Sequence, residues 1–169
     1  NGGIDFATTT AVGISRLRDP VGIQNSNTAP LRNVFFSGGT FIFDDGSGDD
    51  NMSARNKSLN SNWTPGSNVG GLDTGTVAAD TTYHCFAITN PTTGGAEGLL
   101  SASLTSPTLP SGYTKKRRVG SVITDGSANV IQFTRAGNYF NYNTPVLDID
   151  QNFTTTRNIN QLTVPDGLQ

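Results

Sequence analysis

The chain has 169 residues, enough for one domain that buries about 70% of the surface its unfolded form exposes. Thr, Asn, Ser and Gly supply 74 of those residues, while Glu occurs once and Lys three times, so good helix formers are scarce and an all-β fold is expected. A formal charge of −2 with 14% charged residues gives no field that would steer nucleic acid or an anionic membrane, and no apolar run approaches the about 18–20 residues needed to insert across a bilayer.

The chain opens on Asn1 rather than Met, and no signal-peptide pattern is visible in these residues. Val12, Ile14 and the Arg16/Arg18 pair alternate enough for one strand, ended by Asp19-Pro20, and residues 21–32 read as loop. Val34-Phe35-Phe36 and Thr40-Phe41-Ile42-Phe43 flank Ser37-Gly38-Gly39 and predict an aromatic hairpin. Residues 44–68 are polar and turn-rich without periodicity. They predict a long excursion, or a joint between an irregular N-terminal arm with its hairpin (1–50) and a main β-module (51–169).

From Thr81 the texture is regular, predicting strands at Thr82–Asn90, 96–104, 115–124, 130–135, 138–143 and 146–150, separated by Gly-, Pro- and Asp-rich turns. Two prolines in the 106–112 loop forbid ladder donation there. This spacing predicts an antiparallel β-sandwich or jelly-roll-like module. A last strand is expected at 159–164, followed by the Pro165-Asp166-Gly167 turn. The expectation is that the chain is truncated, or that another chain completes its sheet.

No constellation demands catalysis, and neither catalytic residues nor cofactors are expected. His84, the one histidine, alternates with Phe86 and Ile88, whereas Cys85 shares the opposite face with Tyr83 and Ala87. Neighbours on a strand point apart, so His84 and Cys85 form no Cys–His pair. A single cysteine also excludes an intrachain disulfide and a Cys-based zinc site, and in a loop-rich chain it favours intracellular assembly. In Asp44-Asp45-Gly46-Ser47-Gly48-Asp49-Asp50, oxygen ligands at alternate positions make Asp45 and Asp49, with Ser47, candidates for a hard cation. The match to an EF-hand loop fails, since Asp50 stands where the Gly should be and Asn56 where the bidentate Glu should be. The basic run Lys115-Lys116-Arg117-Arg118 divides between two faces of a strand and reads as a sheet edge or inter-subunit contact. Among the aromatics, Trp63, Tyr113 and Tyr139 are the candidate glycan or interface contacts. There is no Gly-x-Ser-x-Gly, phosphate loop or metal-spaced His cluster.

Trp63, Gly66, Gly70-Gly71-Leu72-Asp73-Thr74-Gly75, Thr82-Tyr83-His84 with Phe86 and Ile88, the stretch from Ala96 to Leu104, Pro107-Thr108-Leu109-Pro110-Ser111-Gly112-Tyr113-Thr114 and Arg117-Arg118-Val119-Gly120-Ser121-Val122 with Thr124-Asp125-Gly126-Ser127 carry a resemblance. Over residues 63–150 the chain resembles a module of tailed-bacteriophage virion proteins of the tail and fibre type. The resemblance implies a structural virion protein, assembled in the host cytoplasm, acting through assembly and host attachment. It also implies other virion proteins as partners, a homo-oligomer with a trimer favoured, and a host-surface glycan as a further partner to test. A capsid decoration or head-fibre protein, and a carbohydrate-binding module, are the alternatives. The family has no catalytic residues to carry over.

Overall fold

Residues 20–26, 31–136, 139–148 and 162–165 are described by a computed structural model, and among them there is no helix. In chain order the strands are β1 (Ile23–Asn25), β2 (Asn33–Phe36), β3 (Gly39–Ile42), β4 (Asp49–Met52), β5 (Arg55–Asn62) and β6 (Val69–Leu72). They continue as β7 (Thr82–Asn90), β8 (Gly95–Ser101), β9 (Lys115–Ile123), β10 (Phe133–Ala136) and β11 (Tyr139–Tyr142). Seven of them form one sheet in the order β1-β2-β5-β6-β8-β7-β9, and β3–β4 and β10–β11 pair separately.

The all-β expectation holds, but the sheet is mixed where a wholly antiparallel one was expected. β6 runs parallel to both neighbours, pairing Lys57 with Val69 on one side and Leu72 with Leu100 on the other. Glycine makes this possible. After β5 the chain doubles back at once, with Trp63 N–H donating to Leu72 O (2.7 Å) and Thr64 N–H to Gly70 O (3.1 Å). A Cβ on Gly70 would overlap the Asn62 carbonyl, so the return path exists because no side chain stands there.

β7 is the spine of the sheet. It pairs antiparallel with β8 from His84 to Asn90 and with β9 from Thr82 to Thr89, and a bulge shifts the β9 register between Cys85 and Phe86. Its β-branched, aromatic and small residues are apolar on both faces, the pattern of a strand covered on two sides. Tyr83, Cys85 and Ala87 join the main core with Val34, Phe36, Leu59, Leu72, Leu100 and Val122. Phe86 and Ile88 form a second cluster with Leu99, roofed by Trp63, Leu109 and Tyr113. The proline-bearing loop therefore acts as a lid on that face.

The sheet is nearly closed, because its end strands β1 and β9 approach one another. A Cβ on Gly120 would lie 2.6 Å from Ile23 Cδ1. Substitutes for a ladder span the seam. The Asn25 carboxamide donates to Phe133 O and accepts from Phe133 N–H, and Arg135 Nη1 donates to Val119 O (3.1 Å). Lower down the β3–β4 hairpin serves both ends, with Val21 N–H donating to Thr40 O (3.4 Å) and Asp44 N–H to Lys116 O (2.9 Å). Edges covered in this way offer no open template for another strand.

Three further expectations are corrected. Val34-Phe35-Phe36 and Thr40-Phe41-Ile42-Phe43 do not pair as a hairpin, since β2 lies between β1 and β5 while β3 pairs with β4. Ser37 holds the chain to β1 instead, donating its N–H to Gly22 O (3.0 Å) and accepting Gly22 N–H on Oγ (2.8 Å), so no turn closes at the glycines. Residues 44–68 contain two strands rather than an excursion. β5 is central to the sheet, paired with β2 on one side and β6 on the other. Residues 146–148 form no strand, while 149 and 150 lie outside the described residues. The strand expected at 12–18 and most of that at 159–164 lie outside them too.

Gly98 faces the ring of Phe36, which has no exposed surface, and a Cβ there would sit 2.9 Å from two ring carbons. Gly98→Ala is expected to lower unfolding free energy by about 1–3 kcal/mol through overpacking, read from a shifted urea midpoint at unchanged slope.

Candidate functional site

The most unusual chemistry lies where β5 and β8 approach without pairing. Lys57 stands opposite Val34 on β5 and is completely buried. Gly71 leaves it room, for a Cβ there would be 2.8 Å from Lys57 Cβ. Its ammonium lies 3.1 Å from Glu97 Oε2, donates to Thr64 O (2.7 Å) and sits 5.2 Å from the centre of the Trp63 ring. Glu97 Oε1 accepts from Gly66 N–H (3.1 Å) and from Arg55 Nε (3.3 Å). Burial pushes the Lys57 ammonium below the ordinary lysine range, and the Glu97 charge offsets this in part. Trp63 Nε1 donates to Gly98 O (2.9 Å), and its ring meets Tyr113 edge-on, with centroids 5.0 Å apart at 71°. Burial, reinforced by the Glu97 charge, raises the Tyr113 phenol.

Two sequence candidates thus come together and a third does not. Trp63 and Tyr113 are half-buried partners in the roof of the second cluster, whereas Tyr139 is 77% exposed on β11. Sequence reasoning passed over Lys57, Glu97 and Arg55. The available signal was the single Glu of the chain, set in the otherwise apolar stretch Ala96–Leu100.

The acidic turn and the basic run, which the sequence presents as separate motifs, neutralise one another. Lys115 Nζ donates to Asp45 Oδ2 (2.7 Å) and Lys116 Nζ to Asp44 Oδ2 (2.9 Å), with Arg117 3.6 Å from Asp44 Oδ1. Asp45 also accepts from Ser47 N–H (3.0 Å) and Oγ (2.7 Å), closing an Asx-turn. The Lys115 hydrogen bond, followed by those from Ser47, holds the Asp45 carboxyl well below the usual carboxylate range. Asp45 and Ser47 are therefore engaged with each other and with an ammonium, while Asp49 pairs with Ile42 in the hairpin ladder. Among the described residues, no three His, Cys, Asp or Glu side chains converge as a metal site would need. A cleft of about 660 Å³ lies beside this turn along the seam, bounded by Val21, Phe41, Ile42, Arg117, Arg118 and Val119.

His84 borders a second cleft, also about 660 Å³, shared with Asp80, Asp125, Val146, Leu162 and Val164. Its Nδ1 is hydrogen-bonded to Ser121 Oγ (2.9 Å), directly across the β7–β9 ladder. On its other side Ser101 Oγ donates to Asp73 Oδ2 (2.6 Å), which also accepts Thr108 N–H (2.9 Å). Ser121 and Ser101 are each 1% exposed, so these hydroxyls tie strands and loop together away from solvent. Cys85 is a buried thiol that burial pushes far above the range in which a thiolate would form. Comparison with known proteins finds no matching family model, no similar curated protein and no similar solved structure.

The ion cluster is asymmetric. Removing Glu97 strands a fully buried cation, whereas removing Lys57 leaves Glu97 with Arg55 and Gly66. Glu97→Leu is expected to cost about 3–5 kcal/mol, and Lys57→Met measurably less, both read by chemical denaturation.

Tyr142 provides a pH-dependent test. Its hydroxyl is buried without a hydrogen-bond partner, and burial, aided by the Asp148 charge, pushes its pKa up to about 12. A phenol whose folded value exceeds its unfolded value contributes stability that is intact below pH 10.0 and declines as pH rises toward about 12. In an ultraviolet titration, Tyr142→Phe is expected to remove a late-ionising phenol and to flatten the wild-type loss of stability over that window.

Proposed function

We propose that this chain is a structural virion protein of a bacteriophage, belonging to a tail fibre or similar peripheral appendage and acting through assembly and host attachment. The observation that carries the reading is the distribution of apolar exposure. Leu147 is 76% exposed, Leu162 49% and Val164 51%, and they lie on two segments joined by the hydrogen bond from Thr163 N–H to Asp148 Oδ1 (3.0 Å). Side chains of this kind, clustered beside a well-filled core, suit burial against another protein surface. The occupant we assign is a second copy of this chain, in keeping with the fibre-like resemblance of residues 63–150 and the trimer it implies. In this reading the nearly closed sheet, with β10–β11 laid across its seam, is the sandwich-type module of such an appendage.

Other features support the same reading. Asp44 and Asp45 are matched by Lys115, Lys116 and Arg117 within the chain, and Ser101, Ser121, His84 and Cys85 near the sheet centre are buried. Among the described residues, what remains outward is a polar, turn-rich surface with scattered apolar side chains such as Leu31, Ile42 and Leu104, and the Leu147, Leu162 and Val164 group.

Sedimentation velocity over a broad concentration range tests this. A stable oligomer, a trimer by preference, is expected, and Leu147→Asp should dissociate it while leaving the circular dichroism spectrum unchanged. A wild-type chain that stays monomeric at high concentration overturns the proposal.

A further inference from the structure

We propose that Lys57 and Glu97 condense in the folded chain into an intramolecular isopeptide bond that staples β5 to β8. The geometry differs from that of an ordinary buried ion pair. Lys57 Nζ is 3.1 Å from Glu97 Oε2, yet this buried oxygen accepts no hydrogen bond of regular geometry, so the two atoms are close without a well-aligned bond between them. The carboxyl carbon is at most one C–O bond further away, so only a small side-chain adjustment separates the pair from the about 3–3.5 Å at which well-oriented groups react. The other carboxyl oxygen, Oε1, is held by Gly66 N–H and Arg55 Nε, two donors where negative charge would develop. The walls are Trp63 and Tyr113, and Lys57 has no contact with solvent. Burial also favours the neutral amine, the nucleophilic form.

The step balances without a co-reactant. A proton passes from the ammonium to Glu97 Oε2, leaving a neutral amine and a neutral acid. The nitrogen lone pair forms the N–Cδ bond while the C=O electrons move onto Oε1, between Gly66 N–H and Arg55. A second proton moves from nitrogen to Oε2, the Cδ–Oε2 bond breaks, and one water leaves. The product amide keeps a single N–H for Thr64 O and a carbonyl oxygen for the two donors on Oε1. The one orphaned oxygen of the ion pair is the atom expelled. Two buried charges disappear with it, and the same exclusion of water protects the bond from hydrolysis.

Intact-mass spectrometry of the purified full chain, after prolonged incubation at neutral pH, tests this directly on the wild-type protein. The expected mass is lower than the sequence mass by one water. Proteolysis should release a branched peptide joining the segments around Lys57 and Glu97, and Lys57→Met should have the full mass. An undiminished wild-type mass overturns the proposal. So does a water loss that maps to Asp45-Gly46, Asp125-Gly126 or Asp166-Gly167, where a succinimide would account for it, or a loss that persists in Lys57→Met.

Discussion

A lysine ammonium that folding must bring inside the protein against one carboxylate, before any bond forms between them, is the constraint on which the arrangement of β5, β6 and β8 depends. An unpaired charge in that position would cost several kcal/mol, so Glu97 must face it. That fixes β8 relative to β5 even though the two strands share no ladder there. Everything nearby accommodates the pair. Gly71 leaves space for the lysine stem, Gly66 turns its N–H toward the carboxylate, and Trp63 spreads over the ammonium while its indole N–H is tied to Gly98. The doubling back after β5, which makes the sheet mixed, is the path that brings Thr64 O and Gly66 to this point. A polar interaction thus specifies a topology that apolar burial alone would leave open, a role consistent with buried polar groups acting as devices of specificity.

The second organising interaction is electrostatic and peripheral. The acidic 44–50 turn lies against the basic start of β9, and the two runs cancel where the β3–β4 hairpin meets the end of the sheet. Exposed pairs of this sort contribute little stability one by one. Their effect here is positional, since they hold the hairpin across a gap that backbone pairing leaves unfilled.

The all-β class and the long strands from Thr82 onward were legible because their side chains obey simple alternation. Tyr83, Cys85 and Ala87 against His84, Phe86 and Ile88 is a pattern that sequence displays directly, and these two sets occupy opposite faces. β5 was illegible for the opposite reason. Its inward positions are Lys57 and Leu59, so a buried residue carries a charge and the hydrophobic period vanishes. The aromatic segments around Ser37 misled because local turn chemistry predicts a hairpin, while Ser37 is engaged by Gly22, 15 residues away in sequence. The candidate ion cluster draws on Arg55, Lys57, Trp63, Gly66 and Glu97 from three separate stretches, and no spacing rule connects them. The acidic and basic runs were each visible, but only the fold shows them as partners.

The seam between β1 and β9 has a mechanical meaning. Along the β8-β7-β9 spine neighbouring strands are joined by ladders of backbone bonds, as in the seven-residue register of β7 with β8, whereas β6 meets β8 through the single register pair Leu72–Leu100. Across the seam the load passes through individual links such as the Asn25 carboxamide, the Arg135 guanidinium and the hairpin bonds of Val21 and Asp44. Bonds that must break one at a time resist less than a ladder that must break together, and openings begin where local stability is lowest. A pull applied along the chain would therefore part the molecule at thinly joined places such as the seam before it breaks the β8-β7-β9 spine. The fold thus carries a built-in order of yielding.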